Sequence, residues 1–172
     1  MSKNNQFIWY GRRKGKKLSS RKQELLDTLL PKVCIDSKKF QEEDYFYSMF
    51  PTEIREVWLE IGFGSGEFLA AQAYEHPEVG FIGCELFQNG IATLLSHMEA
   101  KKLENIFIFD NDARLLLDHL PGNFIEKIFI LFGDPWPKKK HNNRRFINDQ
   151  NLKKISYVLK DNGTFVFASD HS

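Results

Sequence analysis

A chain of 172 residues, 42% apolar and 27% charged, can bury one domain-sized core, and its composition is not that of a disordered or fibrous protein. No apolar run approaches the ~20 residues that span a bilayer, and Met1-Ser-Lys-Asn-Asn-Gln6 lacks the apolar stretch of a signal peptide. The net charge of +1 conceals two acid-free basic blocks, one before Glu24 and one over residues 138–145, a pattern that suits a polyanionic partner. Cys34 and Cys84 lie far apart without metal-ligand spacing, as expected of reduced thiols in a cytoplasmic protein with no membrane attachment.

Residues 1–19 are polar and basic with little periodicity, and read as a flexible arm preceding a single domain over 20–172. Ser20-Arg-Lys-Gln23 has the form of a capping box, opening a helix through Leu25, Leu26, Leu29 and Leu30 that Pro31 ends. Residues 36–56 carry no clear period and suggest irregular or short helical structure. From Val57 the pattern becomes strand–helix alternation. Strands are predicted over 57–61, 80–84, 106–109, 127–132 and 164–168, with Asp161-Asn-Gly163 a turn before the last. Helices are predicted over 67–74, about 89–101 and 114–119, with one more carrying Leu152, Ile155 and Leu159 on a single face. Short runs that are apolar on both faces and separated by helices fit buried parallel strands. Right-handed crossovers then give an α/β, Rossmann-like doubly wound sheet of order 3-2-1-4-5.

In such a sheet the ligand lies beyond the carboxyl ends of the strands. The first strand runs into Glu60-Ile-Gly62-Phe-Gly64-Ser-Gly66; the others lead to Glu85, to Asp110 and Asp112, to Asp134 and to Asp170. One such acid usually caps a helix or meets solvent. Their recurrence around a glycine turn is what points to a ligand. So many carboxylates repel a pyrophosphate and suit a cation joined to a ribose, which favours S-adenosylmethionine over a dinucleotide. Glu85, about 20 residues beyond the glycines, is placed to accept from ribose hydroxyls, and Asp112 from the adenine amine. No phosphate-loop, nucleophile-elbow or zinc-protease motif is present, and the five scattered histidines suggest no metal site.

After the fourth strand, Asp134-Pro-Trp-Pro137 should leave the sheet as a stiff ledge, because proline fixes φ and lacks a donor. Trp136 can stack on a base or cover the strand end. Several stretches together resemble the bacterial tRNA (guanine-N7)-methyltransferase family, a class I S-adenosylmethionine-dependent group: Tyr10-Gly-Arg-Arg-Lys-Gly-Lys-Lys17, Arg21-Lys-Gln-Glu-Leu-Leu26, Leu59-Glu-Ile-Gly-Phe-Gly-Ser-Gly66, Gly83-Cys-Glu-Leu86, Asp112-Ala-Arg114 and the block from Asp134 to Arg145. The resemblance implies methyl transfer to N7 of a guanine in the tRNA variable loop, by a monomer or homodimer without metal. It implies cofactor contacts from Glu60, Gly62, Gly64, Glu85, Asp112 and Asp134, with Asp134 also catalytic. Lys138 and Asp170 would contact substrate, and Lys140, His141, Asn142, Asn143, Arg144 and Arg145 the RNA. Gly133 stands where the family usually has proline. The family fold also continues through a further helix and an antiparallel strand pair, which are missing beyond Ser172, so the fifth strand is expected at an exposed edge. Other expectations compatible with the residues are methylation of a different position or substrate, or an RNA-binding remnant without catalysis.

Overall fold

The computed structural model describes residues 12–131 and 146–168. Five parallel strands, β1 (Glu56–Ile61), β2 (Val79–Cys84), β3 (Ile106–Phe109), β4 (Ile125–Leu131) and β5 (Leu159–Ala168), form one sheet in the order β3-β2-β1-β4-β5. Around it lie α1 (Ser20–Thr28), α2 (Leu30–Val33), α3 (Glu67–Glu75), α4 (Gln88–Lys101), α5 (Ala113–Leu117) and α6 (Asp149–Val158). No helix among the described residues is long and apolar enough to cross a membrane.

Alternation along β1 divides the core in two, since successive side chains point to opposite faces. Val57, Leu59 and Ile61 join Ile128, Ile130, Leu116, Ile155 and Val158 on the α5–α6 side. Trp58 joins Leu69, Phe81, Ile91, Leu94 and Leu95 on the α3–α4 side. β2 is buried along its whole length, which explains why its sequence shows no polar alternation. The edge beyond β3 is covered: Cys34 bridges to Ile108, and the Ile35 N–H donates to the Ile108 carbonyl at 2.8 Å.

Several local expectations are revised. Ser19, not Ser20, caps α1, its hydroxyl accepting from the Lys22 N–H, so Lys22 falls where a capping box needs Glu or Gln. Pro31 does not end the helical stretch; it sits in the first turn of α2, where its missing N–H has no intrahelical partner to lose. The 161–163 turn lies within β5, as a bulge. Ile125 pairs with Leu159 but Lys127 with Thr164, so two steps along β4 are matched by five along β5, with Asn162 at φ 65°. The inward face of α6 is Asn151, Ile155 and Val158, while Leu152 is exposed and Leu159 has passed into β5. Finally, β5 holds no fully buried residue, contrary to strands apolar on both faces: Phe165 packs on the α5–α6 core, but Phe167 is 49% exposed.

Candidate active site

Strand register brings the chemistry-bearing positions to one edge. Ile61 pairs with Cys84, and Cys84 with Phe109, so Gly62, Glu85 and Asp110 leave neighbouring strands at one level. Leu131 and Ala168 end β4 and β5 opposite each other on the same edge.

The glycine turn begins where the Gly62 N–H donates to the Cys84 carbonyl at 2.8 Å. Gly62 and Gly64 have φ of 73° and 59°, a region that strains L side chains, and a Cβ on either would meet nothing within 4 Å. Their open side is a cradle that a ligand can approach down to the backbone. Gly66 serves packing instead, since a Cβ there would lie 2.8 Å from Leu94.

Glu85 braces this turn. Its Oε2 accepts from the Gly64 N–H at 2.9 Å, and its Oε1 from the Leu86 and Phe87 N–H groups at 2.8 and 2.9 Å. The sequence suggested a ribose acceptor but held no sign of the brace; a carboxylate has about four acceptor directions, so three backbone bonds leave room for a hydroxyl. Glu60 is only 4% exposed, and its Oε2 has no hydrogen-bond partner among the described residues. Burial, and then the neighbouring Glu85 charge, push its carboxyl up to about 8. A buried acid with an oxygen that meets no donor among the described residues, beside an open backbone cradle, fits a cationic ligand group, because such a group would supply a countercharge.

Asp112, 8% exposed, caps α5 by accepting from the Arg114 N–H at 2.9 Å, and it also grips the Arg114 guanidinium through Nε at 2.9 Å and through Nη2. Its carboxylate is thus already committed to a fork-like ion pair, and an adenine amine would share it with Arg114. The Asp-x-Arg spacing was the available signal for that clamp. Next to it, Cys34 Sγ donates to Asp110 Oδ1 at 3.4 Å, and burial reinforced by that carboxylate pushes the thiol up to about 12. Cys84 is buried, and both cysteines are free.

Asp134, Lys138, Lys140, His141, Asn142, Asn143, Arg144, Arg145 and Asp170 lie outside the described residues, as do Gly133 and Trp136. Among the described residues no group of three His, Cys, Asp or Glu could hold a metal ion.

A family model described as "Putative methyltransferase" matches residues 55–172. The tRNA (guanine-N(7)-)-methyltransferase of Agrobacterium fabrum is 47% identical over 162 residues, covering 94% of this chain and 69% of the relative; the chain thus spans about two thirds of that protein. The solved structure of the 16S rRNA methyltransferase KamB superposes with a TM-score of 0.53 at 16% identity, over 73% of this chain and 57% of that one. An S-adenosylmethionine-dependent methyltransferase from Thiobacillus denitrificans, solved with S-adenosyl-L-homocysteine, gives 0.50 at 18% identity over 67% and 42%. Likeness at that level of identity shows the fold: a class I methyltransferase sheet.

Proposed function

Since the chain belongs to the tRNA (guanine-N7)-methyltransferase family, we propose that the guanine it methylates lies in the tRNA variable loop and that the acids at the sheet edge hold the methyl donor. The donor is S-adenosylmethionine, which supplies a methyl group on a sulfonium. The observation that carries the residue assignment is the buried Glu60 carboxylate, whose Oε2 has no hydrogen-bond partner among the described residues, beside the open Gly62–Gly64 turn. Glu60 faces the cationic amino-acid end, Gly62 and Gly64 let it approach the backbone, Glu85 receives the ribose, and Asp112 with Arg114 borders the base.

Guanine N7 carries an in-plane lone pair and no proton, so the protein needs no general base. Its work is to exclude water from N7 and hold it in line with the methyl group, an orientation effect worth up to ~10 kcal/mol. In this reading Asp134 stands where positive charge develops on the ring. Lys138 and Asp170 position the base. Lys140, His141, Asn142, Asn143, Arg144 and Arg145 hold the backbone, contacts that fix register without reading sequence. In this reading the enzyme is cytoplasmic, in keeping with its two free thiols, and works as a monomer or homodimer.

The deciding experiment incubates the protein with labelled S-adenosylmethionine and bulk tRNA and identifies the modified nucleoside. N7-methylguanosine at a variable-loop position supports the reading. A different methylated nucleoside, or binding without turnover, overturns it.

Glu85→Ala is expected to weaken S-adenosylmethionine binding by about 1.5–3 kcal/mol, the range for hydrogen bonds to a charged group. It also leaves the Gly64, Leu86 and Phe87 N–H groups without their acceptor. Glu85→Gln retains one acceptor oxygen but presents an amide donor to an N–H group, so it should recover only part of the loss. Calorimetry tests both, and unchanged affinity in the alanine variant would remove Glu85 from the cofactor site.

A further inference from the structure

The first basic block is not used by the site described above, yet its second half is fixed in place. Residues 12–17 read Arg-Arg-Lys-Gly-Lys-Lys, five cations and no acid, all exposed. Three hydrogen bonds tie this segment to the head of α4. The Gln88 N–H donates to the Arg13 carbonyl at 2.9 Å, the Gly15 N–H to Asn89 Oδ1 at 2.8 Å, and Asn89 Nδ2 to the Lys16 carbonyl at 2.7 Å. Gly15 lies so close to the helix that a Cβ there would come 2.7 Å from the Phe87 ring.

All three bonds use the segment's backbone, so no cationic side chain is consumed in holding it. None of the five makes an ion pair with a described residue, whereas nearby Arg21 is paired with both Glu24 and Glu99. The anchor is also close to the proposed chemistry. Gly90, one residue beyond Asn89, packs against the glycine turn so tightly that a Cβ would lie 2.0 Å from the Gly64 carbonyl oxygen. Phe87, one residue before Gln88, donates to Glu85.

We propose that Arg12, Arg13, Lys14, Lys16 and Lys17 form a second RNA-backbone contact, a cationic strap clipped by Asn89 to the head of α4 beside the cofactor cradle. The proposal rests on the tRNA reading above and adds residues outside the 138–145 block of the sequence. Five charges on six residues, unpaired among the described residues and on a stretch of at most about 20 Å, suit the regular phosphates of a nucleic-acid strand. Because the backbone is already fixed, less ordering remains to oppose binding. A cationic strap beside the cofactor cradle would grip the RNA backbone close to the methylated base.

The test measures tRNA affinity across a salt series with two variants. Arg13→Gln/Lys14→Gln/Lys16→Gln leaves every anchoring bond intact and removes three charges. It should flatten the slope of log affinity against log salt by about 2, at 0.7–0.9 for each phosphate no longer neutralised, while S-adenosylmethionine affinity stays at the wild-type value. Asn89→Ala keeps every charge but releases the clip, and should weaken tRNA binding without changing the slope. A triple variant with the wild-type slope overturns the strap, even where the wild type binds and methylates tRNA. A wild-type chain that ignores tRNA overturns both the strap and the tRNA reading. Wild-type tRNA affinity in Asn89→Ala overturns the role of the clip.

Discussion

Glu60→Gln is expected to abolish a fall in stability of about 4–5 kcal/mol that the wild-type protein shows between pH 4.5 and about 8. The figure follows from a carboxyl raised from an ordinary 4.5 to about 8, at 1.36 kcal/mol for each tenfold change. Below pH 4.5 the acid is protonated in both folded and unfolded chains and makes no difference. Between the two values the folded protein keeps a proton that the unfolded chain has released, so stability declines as pH rises. Above about 8 the loss is complete, because a buried carboxylate has replaced a solvated one. Denaturant titrations of both proteins from pH 4 to 9 measure the difference directly, and parallel curves would mean that Glu60 is not buried as a neutral acid. S-adenosylmethionine should oppose the trend, since its ammonium favours the ionised form. Its affinity should rise up to tenfold per pH unit between 6 and 7, then level near 8, where an α-ammonium itself begins to lose its proton. Glu60→Gln should bind more weakly and with no such slope.

The strands from Val57 to Phe109 were readable because a parallel strand covered on both faces must be apolar throughout, and little else in a chain is. The glycine turn and the acids beyond Cys84 and Phe109 followed from that topology. Features governed by tertiary packing were hidden. Asn151 is buried because its side chain donates to the Phe146 carbonyl at 2.7 Å, so a polar residue takes the inward position that apolar spacing gave to Leu152. The β5 bulge depends on which residue of β4 each residue meets, information absent from a local window. Ser19 and Ser20 are chemically equal caps, and only the chain's approach to α1 selects between them. The same limit applies at the site. Sequence placed Glu85 and Asp112 at strand ends, and the Asp-x-Arg spacing carried a signal for the guanidinium on the second. Nothing local showed the three N–H groups on the first, which gather only when the glycine turn and the segment after β2 fold together.

Asp134→Ala is expected to lower the rate of methyl transfer by about 10²–10³, the loss typical of removing one preorganised group from a developing charge, while tRNA affinity stays close to wild type. Attack by guanine N7 requires no proton removal and leaves the purine ring cationic, so a carboxylate near the ring is worth more in the transition state than in the ground state. An interaction that strengthens only along the reaction lowers the rate without weakening binding. Asp134→Asn, which keeps the size and loses the charge, should lie nearer the alanine variant than the wild type. Replacing Lys140, Arg144 and Arg145 should do the opposite: tRNA binding weakens and its salt dependence flattens by approximately 0.7–0.9 for each phosphate left without its cation, while the rate at saturating tRNA is largely kept. Single-turnover methylation at saturating cofactor, set beside filter binding of the same tRNA, separates the two behaviours. An Asp134→Ala protein that methylates at the wild-type rate would move the chemistry elsewhere on the sheet edge. One that loses tRNA affinity in step with its rate would make Asp134 part of the binding surface instead.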